Sequence, residues 1–553
     1  MQLELLESLF DKTCKTKNYT YTYGTAGFRD KAAVLDTVMF TTGIIASLRS
    51  MSHQGKAVGV MITASHNPPM DNGVKIIEPD GSMLSQSWES LATNLANITA
   101  NENFLKSIEF IKNLIISLNI DSNIIPSIVV GMDSRESSPR LMNCLLSTLS
   151  PIFNAKIINH NMLTTPQLHF LTAYQNENCN IIPAEKITVN QYDTNFQTAF
   201  NDLLKLYEIK NFNNCFNNLI VDCANGIGAP QFENFIKGLP QSNLIKFINN
   251  NYKHPDTLNN SCGADFVKTQ QKLPAGVNDD PSLLTDSNLY CSFDGDADRI
   301  IFYYIDQTNK FHLLDGDKIA TLFAKFLKKL LLLANLNDIK LGIVQTAYAN
   351  GSSTTYVSNT LNVPVSCTKT GVKHLHHEAQ TAYDIGIYFE ANGHGTILFS
   401  NNFYSKVQSC LEITKDESIT KACKTLLAFS KVINQTVGDA IADLLGVVAT
   451  LLISEMKPYQ WDQQYTDLPN LLSKVIVPDR NVFKTTDQER KLTSPPGLQN
   501  KMDTLINKIE MGRAFVRASG TEDAVRIYCE GKNAEDVKKL SKDIEALIMA
   551  EVN

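Results

Sequence analysis

A chain of 553 residues is longer than one hydrophobic core organises, so roughly three to five domains are expected. Its 43% hydrophobic and 19% charged content exclude a disordered or fibrous class and describe an ordinary globular protein. A formal net charge of −7 excludes a general nucleic-acid binder, which carries a basic face, but leaves an anionic substrate open because local cation clusters decide that.

Residues 1–17 set Glu4, Glu7 and Asp11 among Leu3, Leu5, Leu6, Leu9 and Phe10, which predicts an amphipathic helix without the basic start and apolar centre of a signal peptide. Gly24 and Gly27 then bracket small residues and present Arg29, either a plain turn or a loop whose amides approach an anion. The apolar run 58–62 reads as a buried strand. It stops at Thr63-Ala64-Ser65-His66-Asn67-Pro68-Pro69, where two prolines forbid a continuing ladder. Ser65 therefore stands on a stiff turn at a strand end, where an open α/β sheet presents its chemistry; taken alone, it reads as the cap of an ordinary strand-to-loop turn. Asp71-Asn72-Gly73-Val74-Lys75 reads as a turn loop followed by a cation, and Pro79-Asp80-Gly81-Ser82 as a second turn. A helix is expected over 101–123, with Phe104, Ile108, Ile111, Leu114 and Ile115 on one face. The strand 128–132 runs into Asp133-Ser134-Arg135 and a helix carrying Leu141, Leu145 and Leu146, the order of a parallel α/β unit. The Asn- and Gln-rich stretch 177–214 marks a domain boundary near its start.

The strand 219–222 leads to Cys223-Ala224-Asn225-Gly226-Ile227-Gly228, which lacks the third glycine of a dinucleotide fingerprint. The strand 289–293 leads to Asp294-Gly295-Asp296-Ala297-Asp298-Arg299. Further on come the strand 341–346, the loop 368–373, and the strand 385–389 ending in Glu390-Ala391-Asn392-Gly393-His394-Gly395. Helical spacing returns over 422–453. The runs 329–336 and 444–453 are too short to span a bilayer and read as core helices. Beyond Lys457-Pro458, strands and turns predict a small α+β domain holding Arg517-Ala518-Ser519-Gly520-Thr521-Glu522 and the alternating strand 525–529. Residues 487–499 read as an exposed loop. The eleven cysteines are scattered without a Cys-x-x-Cys pair and are expected to be reduced thiols of a cytosolic protein.

Asp294, Asp296 and Asp298 alternate after a strand, so their carboxylates point one way and need a hard cation, for which Mg²⁺ is the natural occupant. An EF-hand fails because its glycine and glutamate positions hold Arg299 and Ile305; a solvated acidic turn is the plain alternative. Arg517, Ser519, Gly520 and Thr521, with Arg526 on the next strand, have the make-up of a phosphate cradle or of an ordinary β-turn. Glu390, Asn392, Gly393 and His394 either offer the mixed donors and acceptors that sugar hydroxyls require or form a satisfied polar loop. His374, His376 and His377 lack a cysteine partner and read as a helix surface, with Lys373 facing substrate. No Walker A sequence is present. A hydroxyl nucleophile beside a hard cation, with a sugar loop and a phosphate cradle, fits phosphoryl transfer through a phosphorylated serine.

The blocks Thr63 to Pro68 with Asp71 to Lys75, Asp294 to Arg299, Phe389 to Gly395 and Arg517 to Asp523 stand in the order of the α-D-phosphohexomutase superfamily, which this chain resembles over residues 24–530. The Ala391-Asn392 pair, where glucose- and mannose-phosphate mutases usually carry serine, resembles the N-acetylhexosamine branch of eukaryotic, fungal type. Ala518, where proline is common, departs without consequence. The resemblance implies a four-domain architecture around a central cleft, three α/β domains and a C-terminal α+β domain, with boundaries expected at 1–178, 179–305, 306–455 and 456–553. It implies a cytoplasmic isomerase of UDP-N-acetylglucosamine biosynthesis that interconverts N-acetylglucosamine 6-phosphate and 1-phosphate through a 1,6-bisphosphate, which also serves as activator. Under the resemblance Ser65 is phosphorylated and, with Asp294, Asp296 and Asp298, holds one Mg²⁺ per subunit. Lys75 does acid–base work, Arg29 and Arg299 stabilise the transferring phosphoryl group, Glu390, Asn392, Gly393, His394 and Lys373 read the sugar, and Arg517, Ser519, Gly520, Thr521 and Arg526 hold the other phosphate. The expected partners are hexosamine phosphates alone, with no nucleic acid, membrane or obligate protein partner. The alternatives are a phosphoglucomutase or phosphomannomutase of the same superfamily and a catalytically silent sugar-phosphate-binding regulator; intact Ser65, Lys75 and the three aspartates argue against the latter.

Overall fold

The computed structural model describes residues 3–24, 27–520 and 523–552. The chain divides into two compact units, residues 1–313 with 428–455, and residues 314–427 with 456–553.

The first unit holds two sheets. Strands β1 (Tyr23–Gly24), β2 (Gly27–Lys31), β3 (Ala57–Ile62), β4 (Asp71–Ile77), β5 (Ser127–Met132) and β6 (Lys156–Met162) form one in the order β1-β2-β4-β3-β5-β6. The pairs β3–β5 and β5–β6 are parallel, as the strand-then-helix order requires, and β2–β4–β3 is antiparallel. β3 is buried along its whole length because both faces are covered. Helices Asp36–Ser52 and Ser138–Phe153 pack on one face. Helix Thr165–Asn178, started by a Thr164–Gln167 capping box, covers Met61, Ile77 and Val129 on the other. The amphipathic helix Leu3–Thr13 buries Leu6 and Phe10, as its pattern predicts.

Strands β7 (Leu219–Asp222), β8 (Ile245–Ile248), β9 (Leu289–Phe293), β10 (Ile300–Ile305) and β11 (Phe311–Leu314) form the second sheet, in the order β11-β10-β9-β7-β8. Helix Ala440–Ile453 packs against β10 and helix Val189–Leu206. Asp439 caps it and also accepts from the Tyr192 hydroxyl at 2.7 Å, which ties residues 428–455 to the first unit.

In the second unit, β12 (Leu341–Thr346), β13 (Val365–Thr368), β14 (Ile385–Phe389) and β15 (Gly395–Phe399) pair in the order β13-β12-β14-β15. Helices Gly316–Leu333 and Val372–Ala382 both pack on β12 and β14. Strands β16 (Asn470–Ile476), β19 (Arg513–Ala518) and β20 (Ala524–Glu530) form a β16-β20-β19 sheet whose apolar face, Val475, Val516, Val525 and Ile527, is closed by helix Ala534–Val552. This is the expected C-terminal α+β element. A two-stranded ribbon pairs β17 (Lys484–Thr486) with β18 (Lys491–Ser494).

Several local expectations are corrected. Residues 71–75 are ladder and not a turn: the reversal lies upstream, closed by Asp71 N–H to Pro68 O at 3.1 Å. Gly73 serves close approach, since a Cβ there would meet Phe28 O at 2.3 Å. The helix expected over 101–123 spans Phe104–Ser117, capped by the Asn103 side chain, and a separate helix, Gln86–Asn101, precedes it. The polar stretch 177–214 contains the helix Val189–Leu206, and the spacing over 422–453 resolves into two helices, Glu417–Val432 and Ala440–Ile453. The run 329–336 leaves its helix at Leu333, with Leu332 and Leu333 partly exposed. Residues 487–499 hold a hairpin tip, β18 and the start of helix Leu498–Ile506 in place of a loop. No disulfide joins the cysteines among the described residues, and no helix there is long and apolar enough to cross a membrane.

Candidate active site

In the first unit, Ser65 sits just past β3 in the left-handed region, at φ 52°. A non-glycine residue there costs about 1 kcal/mol and persists only where surroundings fix it. Here the fixing group is Arg135. Its side chain is fully buried and uses all five N–H donors: Nε on Asp133, Nη1 on the carbonyls of Pro68 and Asp71, and Nη2 on those of Ser65 and Asn67, at 2.6–3.0 Å. Asn259 donates a further bond to Ser65 O at 3.0 Å, and Thr63 Oγ1 accepts from Ser65 N–H at 3.0 Å.

The turn between β9 and β10 carries the three aspartates, and it is equally held. Ile227 N–H bonds Gly295 O, Thr165 N–H bonds Asp296 O, and Ala440 N–H bonds Ala297 O, at 3.0–3.2 Å. Gly295 lies against the serine loop: a Cβ there would fall 2.5 Å from Ser65 O. Ser65 Oγ donates to Asp294 Oδ2 at 2.7 Å, so the hydroxyl expected as nucleophile touches the carboxylates expected to hold the metal.

Ligand oxygens of Asp294, Asp296 and Asp298 all lie within 4.8 Å of one another, and the residues are 0%, 0% and 5% exposed, so the solvated acidic turn is excluded. Burial, and then Asp298 and Asp296, push the Asp294 carboxyl well above the carboxylate range. Asp296 Oδ1 is buried with no hydrogen-bond partner, while its Oδ2 accepts from Thr165 Oγ1 at 2.5 Å and Lys75 Nζ at 3.2 Å. An oxygen orphaned inside a buried carboxylate cluster is the signature of a cation site, and a hard, oxygen-seeking ion such as Mg²⁺ fits this donor set.

Three cations face these three anions. Lys75 Nζ also bonds Asp298 Oδ2 at 3.1 Å, and Asp296 with Asp298 outweigh burial to raise its pKa. Arg299 Nε lies 3.8 Å from Asp294 and 3.7 Å from Asp298. Arg29 lies on β2 opposite Gly73. Burial, then Arg299, lowers its pKa, and its Nε is buried without a partner. The same positive field, Arg299 first, then burial and Arg29, holds His66 down to about 2, so its ring stays neutral. With all three carboxylates ionised, as a bound cation would make them, they balance Lys75, Arg299 and Arg29 three against three, so a dication and a dianionic phosphoryl group can enter together without upsetting that balance.

In the second unit, the turn after β14 is closed by Glu390 N–H to His394 O at 2.9 Å, with Gly393 at φ 86°. Asn392 Nδ2 donates to Glu390 Oε2 at 3.2 Å, and Asn392 Oδ1 accepts from His394 N–H at 3.0 Å, so the three expected sugar readers form one bonded loop. Lys373 is the second residue of helix Val372–Ala382, whose exposed side carries His374 and His377; His376, expected on the same surface, is instead half-buried with its Nδ1 3.0 Å from the Tyr388 hydroxyl.

Arg517 and Arg526 are directly opposite on β19 and β20, and Lys474 on β16 extends the row. Like charges so placed repel, so the row would gain from a bound anion. Arg517 Nε donates to Tyr348 OH at 2.9 Å, and Arg526 Nε is buried without a partner. Arg513 fastens this sheet to the end of β12, bonding Ala347 O at 2.8 Å and pairing bidentately with Glu530. Ser519 is buried with its N–H on Ala524 O, and a Cβ on Gly520 would meet nothing within 4 Å. Thr521, with Glu522, lies outside the described residues.

Family models for phosphoacetylglucosamine mutase AMG1 match domain II at residues 180–301 and domain III at residues 315–456. Models for phosphoglucomutase/phosphomannomutase match the alpha/beta/alpha domain I at residues 31–106 and the C-terminal domain at residues 473–547. Phosphoacetylglucosamine mutase of Saccharomyces cerevisiae is 54% identical over 550 residues, 98% of each chain.

The chain belongs to the phosphoacetylglucosamine mutase family.

Solved structures of this family superpose closely. An N-acetylglucosamine-phosphate mutase of the α-D-phosphohexomutase superfamily, in its substrate complex, is 48% identical with a TM-score of 0.91, covering 99% of this chain and 100% of that one. Aspergillus fumigatus N-acetylphosphoglucosamine mutase, solved with GlcNAc-6P and magnesium, is 40% identical with a TM-score of 0.90, covering 99% of both chains. The four matched domains and the mixed sheets give the phosphohexomutase architecture read from the sequence. Four positions in this family member escaped the sequence reading: Arg135, Thr165, Asn259 and Lys474. The Asp133-x-Arg135 pair at a strand end was the available signal for the first, and the alternation Leu472-Ser473-Lys474-Val475 for the last.

Proposed function

We propose that this chain interconverts N-acetylglucosamine 6-phosphate and N-acetylglucosamine 1-phosphate. The observation that carries the reading is the 2.7 Å bond from Ser65 Oγ to a buried aspartate triad faced by Lys75, Arg299 and Arg29. Phosphorylated Ser65 gives its phosphoryl group to the free sugar hydroxyl. The P–O bond to Ser65 Oγ breaks, a new P–O bond forms on the sugar, and the proton lost by the sugar hydroxyl ends on Ser65 Oγ. The 1,6-bisphosphate reorients, and Ser65 Oγ takes back the other phosphoryl group. Lys75 moves the proton. Arg29 and Arg299 neutralise charge on the transferring group. Mg²⁺, held by Asp294, Asp296 and Asp298 with an oxygen on Ser65, supplies electrostatic stabilisation of that charge when bound. Glu390, Asn392, Gly393, His394 and Lys373 read the sugar, and Arg517, Ser519, Gly520, Thr521 and Arg526 hold the non-reacting phosphate.

The reading includes one Mg²⁺ per subunit, a hexosamine 1,6-bisphosphate as activator, a cytoplasmic location, and hexosamine phosphates as the only partners. The division 1–178, 179–305, 306–455 and 456–553 remains our proposal for the domains, with β11 extending the second sheet to Leu314. Intact-mass analysis with a coupled assay on a panel of hexose and hexosamine phosphates tests it. Phosphate on Ser65 and preference for N-acetylglucosamine 6-phosphate are expected. Preference for glucose or mannose phosphates would favour the wider superfamily, and an unphosphorylated, inactive protein would favour a silent binder.

A further inference from the structure

The cation row on β16, β20 and β19 has an anion of the chain's own beside it. Glu489 sits at the tip of the β17–β18 ribbon. Its Oε1 lies 3.6 Å from Arg517 Nη1, and its Oε2 accepts from the backbone N–H of Thr370 at 2.9 Å. Both side chains are largely shielded, at 17% exposure for Glu489 and 16% for Arg517. One carboxylate thus joins the cradle arginine to the loop between β13 and helix Val372–Ala382, next to the buried Thr370 hydroxyl, which has no partner.

The backbone is bent to put it there. Asp487, Gln488 and Glu489 hold three successive left-handed conformations, φ 51°, 55° and 71°, with no glycine among them. Each costs of order 1 kcal/mol, and such strain persists where the surroundings over-determine it. Arg490 pairs with Asp487 across the tip and leaves Glu489 as the residue turned toward Arg517.

We propose that Glu489 is a specificity-determining residue of the phosphate cradle: it occupies the anion position at Arg517, and an incoming ligand must displace it. This rests on the reading of Arg517 as a phosphate-holding residue. A phosphate dianion brings one charge more than the carboxylate it displaces and gains from the exchange at Arg517 and Arg526. A singly charged ligand brings none and is rejected, while displacement frees the Thr370 N–H beside its unpartnered hydroxyl. The exchange makes the cradle selective for the charge of a phosphate monoester and indifferent to the sugar that carries it.

Glu489→Gln tests this on the full-length protein, because the amide oxygen can still accept from Thr370 N–H while the charge is gone. Binding of inorganic phosphate and of acetate is measured calorimetrically for wild type, Glu489→Gln, Arg517→Ala and the double variant. Glu489→Gln should bind inorganic phosphate roughly three- to tenfold more tightly and should acquire measurable acetate binding, and both gains should vanish with Arg517→Ala. If Arg517→Ala weakens phosphate binding but Glu489→Gln leaves it unchanged or weaker, the displacement inference is wrong and the cradle stands. If Arg517→Ala leaves phosphate binding unchanged in both backgrounds, the cradle assignment falls, and the inference with it.

Discussion

Arg135 Nη2 lies 2.8 Å from the carbonyl oxygen of Ser65, so the backbone of the proposed nucleophile is held by a side chain seventy positions later in the chain. The other four donors of that guanidinium are also engaged, three of them on carbonyls of the same loop. Lysine would keep the charge beside Asp133 but has three donors, so at least two of the five bonds are lost, although Ser65 O, Asn67 O and Pro68 O each keep a second donor. A hydrogen bond is worth about 1 kcal/mol net, so Arg135→Lys should lower stability by about 2 kcal/mol. It should also lower kcat and the phosphorylated fraction of Ser65 while changing KM little, because the loop and not the sugar contacts is disturbed. Thermal denaturation, steady-state kinetics and intact mass check this; wild-type kcat in a destabilised Arg135→Lys protein would reduce Arg135 to a stability role.

Ser65→Ala should lower turnover by at least about a thousandfold. The fold should persist, since the change removes one hydrogen bond, to Asp294, worth about 1 kcal/mol net. Turnover on N-acetylglucosamine 6-phosphate and a melting curve are the measurements. Substantial residual turnover in a preparation free of host enzyme would show that the phosphoryl group travels by another route.

Removing the metal should be reversible. EDTA is expected to stop turnover and added Mg²⁺ to restore it. Asp296→Asn removes a formal charge from the aspartate whose Oδ1 lacks a partner, so the Mg²⁺ concentration giving half-maximal activity should rise at least about tenfold. Full activity in metal-free buffer would leave the triad as a counter-ion for Lys75 and the arginines.

How much of this could be read from the sequence follows from where each group finds its partner. The strands 219–222, 289–293, 341–346 and 385–389 match β7, β9, β12 and β14 residue for residue, because buried runs that end in, or are followed at once by, a polar residue leave a local signature. The aspartate triad was legible for the same reason, since alternate spacing after a strand predicts convergence. Arg135 was not, because four of its five bonds go to carbonyl oxygens, which every residue carries, and only Asp133 left a signal. Asn72-Gly73 misled because glycine there serves packing against Phe28 O and not a turn. Glu489 fell in a stretch read as an exposed loop, and its contacts with Arg517 and Thr370 join segments far apart in sequence. Lys474 gains meaning only through the register that sets it beside Arg526.

That register also separates two consequences of changing Arg517. Arg517 and Arg526 stand opposite each other, and such like-charge pairs cost roughly 0.2–1 kcal/mol in the folded state. Arg517→Ala removes this repulsion along with the Tyr348 and Glu489 contacts, so the melting temperature should hold or change little. Phosphate binding should not hold: a charge-assisted contact is worth on the order of 1.5–3 kcal/mol, which predicts a fall in kcat/KM of roughly ten- to a hundredfold. Under the proposed roles the bisphosphate presents either phosphate to this site, so the grip depends on charge and phosphate geometry and the reading of the sugar falls to Glu390, Asn392 and His394. Preference between N-acetylglucosamine 6-phosphate and glucose 6-phosphate should therefore survive the substitution, whereas Asn392→Ser should shift it. The measurement is kcat/KM on both sugars for wild type, Arg517→Ala and Asn392→Ser. An Arg517→Ala enzyme of unchanged efficiency, or one that chiefly switched its sugar preference, would mean that the phosphate is held elsewhere.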